Sequence, residues 1–412
     1  MGARTRTREA SMMGISQPDV VYSDDAIPGE YDPVATAVPV FVGYTEKGTA
    51  YTLVAINSFD DYESVFGGAA PDGYILYYAV RHYFDNGGRG GFVLSLGAYA
   101  DPVDLTPDDL IAAISDGRIS TAIAQEASIT LVAIPDMVLL PDGESAYWAQ
   151  AWLSLLAACQ VRAGVFGVFD TPDDPANAAA CLSAFLAQHP TQPEWGAAYW
   201  PRLVTGYESD TETQIVVPPS AAVIAVMATT DEQYGIWRAP ANVALSQVIK
   251  PTCSWLQSSG LFQTTGPSIN LIRSFAGKGV RIWGCRTLAV DTASPWLYVQ
   301  IRRLLAHIES QIGQLGRHFV FEDNNALTWV KFHGMAHIWL RNMWLEGGLY
   351  GAEEAEAFFV QIGLGETMTQ ADIDQGKMII KLGVAVAYPA EFIEISLTFD
   401  TRMSVNAPQA RA

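Results

Sequence analysis

Histidine and cysteine are scarce in this chain. Six histidines and four cysteines in 412 residues leave few candidates for general-base, metal-ligand or thiolate chemistry. The cysteines (Cys159, Cys181, Cys253 and Cys285) are scattered without a CxxC pair. That spacing excludes a zinc ribbon or a dithiol redox motif and reads as buried thiols of a protein made in a reducing cytoplasm. Positive charge is also short, 24 Lys plus Arg against 44 Asp plus Glu, net −20. The imbalance argues against nucleic acid as a partner and against docking on anionic lipid. No apolar run approaches the roughly 20 residues of a membrane span, so no membrane insertion is expected. Arg4, Arg6 and Arg8 near the start are not followed by the apolar stretch of a secretory signal. There is no GxSxG nucleophile elbow and no GK[ST] phosphate loop.

What is present is a core. Half of the residues are hydrophobic and 17% are charged, a balance that buries a large interior and excludes disorder as the general state. At roughly 100–200 residues per domain, the length gives two or three domains. Residues 1–33 are polar and irregular, with Pro18, Pro28, Gly29 and Pro33, and read as an extended arm. Residues 34–100 read as an N-terminal α/β segment: a strand over 34–45 with Pro39 marking an edge or bulge, a helix over 74–84, and a strand over 92–96. Across 101–275 strands at 129–134, 163–169 and 196–200 alternate with helices at 145–160, 174–188 and 220–228. That alternation predicts a parallel sheet covered by helices. Residues 276–391 carry helices at 295–312 and 326–345 and a strand at 377–387. In residues 392–412, Ile393, Ile395, Leu397 and Phe399 alternate with Glu394, Ser396, Thr398 and Asp400, a half-buried strand followed by a polar tail.

Few residues are placed for chemistry. Asp136 and Asp170 fall just past the C-terminal ends of predicted parallel strands, where α/β sheets bind ligands. The same position suits a carboxylate that caps the following helix, and at such a cap Asp→Asn costs about 1 kcal/mol or less. His333-Gly-Met-Ala-His337 sets two histidines at i, i+4 on a helix. Gly334 stands where a metalloprotease has its glutamate, and no third ligand is evident, so the pair reads as structural and no metal or cofactor is expected. Asn86-Gly-Gly-Arg-Gly-Gly-Phe92 precedes a strand, whereas a phosphate cradle opens a helix, so it reads as a turn. A cytoplasmic α/β enzyme with a site around Asp136, Asp170, His333 and His337 is the alternative that composition leaves open.

Several blocks point elsewhere. Thr36-Ala-Val-Pro-Val-Phe-Val-Gly-Tyr-Thr-Glu-Lys-Gly48 is followed by Ile56-Asn-Ser-Phe-Asp-Asp-Tyr-Glu-Ser-Val-Phe-Gly-Gly68 and by Tyr78-Ala-Val-Arg-His-Tyr-Phe-Asp-Asn-Gly-Gly88. Val217-Pro-Pro-Ser-Ala-Ala-Val-Ile-Ala-Val-Met-Ala-Thr-Thr-Asp231 leads into Gly235-Ile-Trp-Arg-Ala-Pro-Ala-Asn242. Trp283-Gly-Cys-Arg-Thr-Leu288, Val299-Gln-Ile-Arg-Arg303 and Pro389-Ala-Glu-Phe392 complete the series. In this order, over about residues 34–400, the blocks resemble the tail sheath proteins of contractile phages and related injection machines. The opening and the modest length are most similar to sheaths of extracellular contractile injection systems.

The resemblance implies an α/β, multi-domain fold: a subtilisin-like parallel α/β middle domain and an α+β C-terminal sheath domain, with extended N- and C-terminal arms. It does not imply proteolysis. Subtilisin chemistry needs Asp, His and Ser in that order, and between Asp136 and Ser220 the one histidine is His189, in a His-Pro loop. It further implies a non-enzymatic subunit, made in the cytoplasm, that stacks with copies of itself in rings around an inner tube. The partners are that tube, a baseplate, terminal cap proteins and in some systems a sheath paralogue. On triggering, such a sheath shortens, widens and drives the tube outward into a target envelope. Two site expectations follow. Inter-subunit strand exchange is assigned to Val20, Val21 and Tyr22 in one arm and Ile393, Ile395, Leu397 and Phe399 in the other, with pairing inside one subunit as the alternative. Contact with the tube is assigned to Arg302, Arg303, Lys331 and Arg341, a local basic excess. The alternative there is pairing with Glu309, Glu346 or Glu353.

Overall fold

The computed structural model describes residues 35–389 apart from 70–72, 100–104, 210–212, 259 and 292. Val20, Val21, Tyr22, Ile393, Ile395, Leu397 and Phe399, with the expected arm 1–33 and terminal strand, lie outside the described residues. The strands in chain order are β1 (Pro39–Thr45), β2 (Leu53–Ile56), β3 (Gly91–Ala98), β4 (Leu131–Ala133), β5 (Phe166–Asp170), β6 (Gly196–Trp200), β7 (Leu203–Glu208), β8 (Gln214–Val217), β9 (Val248–Pro251), β10 (Ile269–Phe275), β11 (Gly279–Trp283), β12 (Phe358–Gln361) and β13 (Lys381–Val384). The helices are α1 (Phe59–Phe66), α2 (Leu76–Asp85), α3 (Pro107–Ile114), α4 (Gly117–Gln125), α5 (Ser145–Cys159), α6 (Pro175–Ala187), α7 (Ser220–Tyr234), α8 (Val299–Arg317), α9 (Ala326–Leu345), α10 (Glu354–Ala357) and α11 (Gln370–Asp374).

Among the described residues, eight strands form one sheet in the order β11-β10-β6-β5-β4-β1-β3-β2. The six inner strands, β10 through β3, pair in parallel. β2 and β11 close the two edges as antiparallel partners of β3 and β10. The boundaries read at 100/101 and 275/276 both fall within this sheet: one separates β3 from β4, the other lies in the β10–β11 hairpin. Burial explains the strand sequences. Every residue of β1, Pro-Val-Phe-Val-Gly-Tyr-Thr, is buried, because helices cover both faces of a parallel sheet. Val40 and Val42 enter one core with α3–α6, and Phe41 enters the other with α1, α2 and α7. The sequence placed Pro39 at an edge or a bulge; it lies instead in an interior strand, between β4 and β3 and in register with Leu131. Proline is tolerated there because it is the first residue of the strand.

Local signals set the helix ends. Asp174 caps α6 by accepting the N–H of Ala176 and Asn177, with Pro175 at the first helical position. Thr106 and Asp109 form a reciprocal capping box on α3. α7 runs on past its expected end to Tyr234 and stops at Gly235, φ 91°. A Cβ there would meet the Trp237 ring at 2.3 Å, so only glycine fits the turn. After the sheet, α8 and α9 pack together and lead to the β12–β13 ribbon, whose second strand is shorter than the 377–387 read from sequence. Within the ribbon Phe359 faces Gly383, and its ring occupies the space a Cβ at 383 would take.

Candidate functional site

The two carboxylates at the strand ends are sealed inside the fold. Asp136 follows β4 and is fully buried. Its Oδ2 accepts the N–H of Tyr44 at 2.6 Å, and its Oδ1 accepts the N–H of Ile75 at 2.8 Å and of Leu76 at 3.0 Å. Asp170 ends β5; its Oδ1 accepts the N–H of Ser220 at 2.9 Å and its Oδ2 accepts the Ser220 hydroxyl at 2.6 Å. Both are caps, as one reading of the sequence had it, but not of the helices that follow them. Asp136 satisfies the start of α2, 60 residues upstream, and Asp170 the start of α7, 50 residues downstream. The parallel sheet brings each strand end beside a helix that is distant in sequence. Gly43 completes the Asp136 contact, since a Cβ there would lie 2.5 Å from Oδ2.

Burial pushes the Asp136 carboxyl up to about 6, against three N–H donors that pull it down. Burial likewise pushes Asp170 up to about 7, against the Ser220 hydroxyl and N–H. A folded-state value above the unfolded one gives stability that is full at low pH and is lost as pH rises through the folded value. For Asp170 that window runs from 3.8 to about 7. Asp170→Asn keeps the Ser220 N–H contact, and the hydroxyl rotates to accept from the new amide. Its cost is therefore expected to be largest near the acid end of this window and to shrink as the pH is raised past it. Asp136→Asn has no such escape, because all three facing groups are N–H donors. It is expected to cost about 1–3 kcal/mol, more than an exposed cap. Urea unfolding of the purified subunit across this pH range checks both. Equal, pH-independent losses would contradict the assignment.

Among the described residues no histidine hydrogen-bonds to Asp136, Asp170 or Ser220. His82 is buried on the carbonyl of Ser246, and His307 is held neutral by burial, its ring pushed down to about 4. The rings of His333 and His337 stack at 5.7 Å. His337 Nε2 lies 2.8 Å from Glu354, which also accepts from Arg341 Nε at 2.9 Å. Among the described residues no three His, Cys, Asp or Glu side chains come together as a metal site. Burial raises the thiols of Cys159 and Cys181 well above their ordinary value, which leaves them poor nucleophiles. The glycine-rich 86–92 segment is a turn into β3, with Tyr83 donating its hydroxyl to the carbonyl of Gly90.

The four basic residues assigned to a tube-facing surface separate into two kinds. Arg302 and Arg303 are 7% and 4% exposed and lie inside the subunit, a correction to that assignment. A helix that packs on both sides leaves no outward position for adjacent residues. The Arg302 guanidinium stacks over Trp195 at 3.3 Å and Trp296 at 4.4 Å. Arg303 binds Asp231 in bidentate fashion, at 2.6 and 3.1 Å, and donates to the carbonyl of Thr36. Lys331 and Arg341 stay on the outer side of α9, Lys331 exposed and Arg341 with 54% of its side chain exposed. The partner of Arg341 is Glu354, not Glu309, Glu346 or Glu353. Sequence reasoning missed the apolar stripe between them, Leu327, Val330, Ile338 and Leu345, each more than half exposed. The i, i+3/i+4 spacing that revealed the buried face of α9 carried this second face too. Among the described residues no helix is long and apolar enough to cross a membrane.

The sequence blocks thus build the fold from residues that meet across it: Asp170 with Ser220, Asp231 with Arg303, and Gly284 under Asn270, which brackets the backbone of Arg286. Comparison with known proteins gives the same set a family. Residues 291–400 match the model of the phage tail sheath C-terminal domain. A curated relative, the tail sheath protein of Enterobacteria phage T4, is 26% identical over 149 residues, a match that covers 35% of this chain and 22% of that longer protein. A chain in the cryo-EM structure of the contracted anti-feeding prophage baseplate superposes with TM-score 0.84 at 38% identity, covering 94% of this chain and 100% of that one. The contracted PVC sheath complex, from an extracellular contractile injection system, matches with TM-score 0.69 at 30% identity over 93% of this chain and 99% of that one. This chain belongs to the contractile tail sheath family.

Proposed function

We propose that this chain is the structural sheath subunit of a phage-tail-like contractile particle, of the extracellular injection type, and that it has no catalytic step. The observation that carries this reading is the near full-length similarity to a subunit of the contracted anti-feeding prophage particle. Copies of the chain stack in a helical cylinder on a baseplate, around an inner tube and under a terminal cap. Contraction releases energy held in a bistable assembly and drives the tube outward. The alternative, an enzyme around Asp136, Asp170, His333 and His337, has its two carboxylates committed to backbone N–H groups on different helices. Negative-stain microscopy of the purified protein tests the reading. Striated cylinders are expected; a monomer that binds metal or turns over substrate would overturn it.

Two features support the finer assignments. β12 and β13 form a ribbon that, among the described residues, has no further strand on either side. A two-stranded sheet is marginal alone, and its free edges fit added strands from neighbouring subunits. We assign those strands to the arms that carry Val20, Val21, Tyr22, Ile393, Ile395, Leu397 and Phe399. Deleting residues 1–33 is then expected to leave a folded subunit that no longer forms long contractile cylinders. Normal cylinders from the truncated chain would remove the arm from the linkage. The exposed stripe of α9 with Lys331 and Arg341 supports a tube-facing role for that helix.

A further inference from the structure

At the β11 edge of the sheet an open groove of about 380 Å³ is bounded by Ala241, Phe262, Leu271, Trp283 and Cys285. Pro389, the last described residue, forms part of its wall. The groove is apolar and poorly covered: Trp283 is 41% exposed although its strand is paired. One arginine, Arg273, lines it. Arg273 lies 4.3 Å over the Trp255 ring and 5.8 Å from Trp283, with its Nε sealed from solvent and without a hydrogen-bond partner. Behind the wall, Arg286 is buried, stacks over Phe262 at 4.9 Å and donates to the carbonyl of Gln263 at 2.7 Å.

We propose that residues 390–392 of the same chain fill this groove, with Phe392 against Phe262, Leu271 and Trp283 and Glu391 turned toward Arg273. Three observations select this occupant. The chain continues for 23 residues beyond Pro389, which already lines the groove. Residues 390–399, Ala-Glu-Phe-Ile-Glu-Ile-Ser-Leu-Thr-Phe, are mostly apolar with two glutamates and no basic residue, complementary to a mostly apolar groove lined by the Arg273 guanidinium. Phe392 is three residues from Pro389, at most about 10 Å of extended chain, so the tether holds it at high effective concentration over the groove. A second copy has no such advantage.

The consequence rests on the strand-exchange reading: a strand that carries tension between subunits needs a fixed root, and Phe392 in this groove supplies it just before Ile393. The seat itself is tested without assembly. In a Cys253→Ser background, Phe392→Cys is oxidised with diamide, which takes up the two thiol hydrogens as the disulfide forms. A Cys285–392 disulfide within one chain is expected, seen as a faster band on non-reducing gels and as a linked peptide, and lost in Cys285→Ser. Ile393→Cys, which an extended chain turns to the opposite side, is expected to give about tenfold less. A disulfide-linked dimer through Cys285 would assign the groove to a second copy, and absence of any Cys285 product would overturn the seat. Phe392→Ala, which needs no oxidation, is expected to raise binding of an apolar dye severalfold; unchanged binding would count against the seat. Normal cylinders from the arm deletion with an intact Cys285–392 link would fail the strand-exchange reading alone, and loss of cylinders with no Cys285–392 link would fail the seat alone.

Discussion

Replacing Asp231 by alanine is expected to cost the subunit about 3–5 kcal/mol, the penalty for leaving a buried charge without its partner. Arg303 and Asp231 have side chains only 3% and 4% exposed. Their two parallel hydrogen bonds join the last turns of α7 to α8, and the third, to the carbonyl of Thr36, ties in the segment that leads into β1. The pair therefore fastens the α/β layers to the C-terminal helices, at a point where relative movement would tear a desolvated ion pair apart. Arg303→Met alone is expected to be similarly damaging, because it strands the carboxylate. The double variant Asp231→Ala/Arg303→Met should recover most of the loss, since an apolar replacement of a whole buried pair is often near neutral. Urea unfolding of the three variants checks the cycle. Single variants within about 1 kcal/mol of the parent protein would mean that the pair does not hold these layers together.

Charge reversal on α9 should act on assembly and spare the fold. Lys331 and Arg341 lie on the exposed side of a 20-residue helix whose opposite side buries Phe332, Ala336 and Leu340. Between them Val330 is 70% exposed and Ile338 54%, an apolar stripe of the kind that marks a protein contact. On the tube-facing reading proposed above, a surface of this composition would hold an anionic partner by many weak contacts, each screened by salt. Lys331→Glu/Arg341→Glu breaks only the exposed Arg341–Glu354 pair within the subunit, and Glu354 keeps His337. Stability is therefore expected to fall by no more than about 1 kcal/mol. Extended particles should become scarce, most strongly at low salt, where repulsion between the new glutamates and the tube is least screened. Counting extended particles by electron microscopy at low and high salt measures this. An unchanged fraction at low salt would move the tube contact off α9.

The sequence made the layered α/β part legible because its signals are local. Buried strands such as Phe-Gly-Val-Phe-Asp separated by capped helices have few other ways to fold, and Asp174-Pro175 marks a helix start by its own backbone chemistry. What escaped were the choices made by distant neighbours. Pro39 looked like an edge residue, yet β1 is interior, since only the strand order decides where an N–H is missed. Asp136 and Asp170 were recognisable as caps, but the helices they cap are set by the sheet. Arg302 and Arg303 read as surface charge because long basic side chains are usually exposed. Their burial depends on Trp195, Trp296 and Asp231, which no spacing rule connects to them. The outer stripe of α9 was readable from its period and went unread beside the stronger buried face.

The most direct test of the account is cryo-EM of one particle type before and after contraction, measuring length, diameter and the subunit contacts in both states. A shorter, wider cylinder is expected, in which each subunit keeps its Asp231–Arg303 and Asp136–Leu76 contacts, while copies move relative to one another on strands added to β12–β13. A cylinder of unchanged length, or a shortened one whose subunits have refolded across the α7–α8 junction, would contradict it.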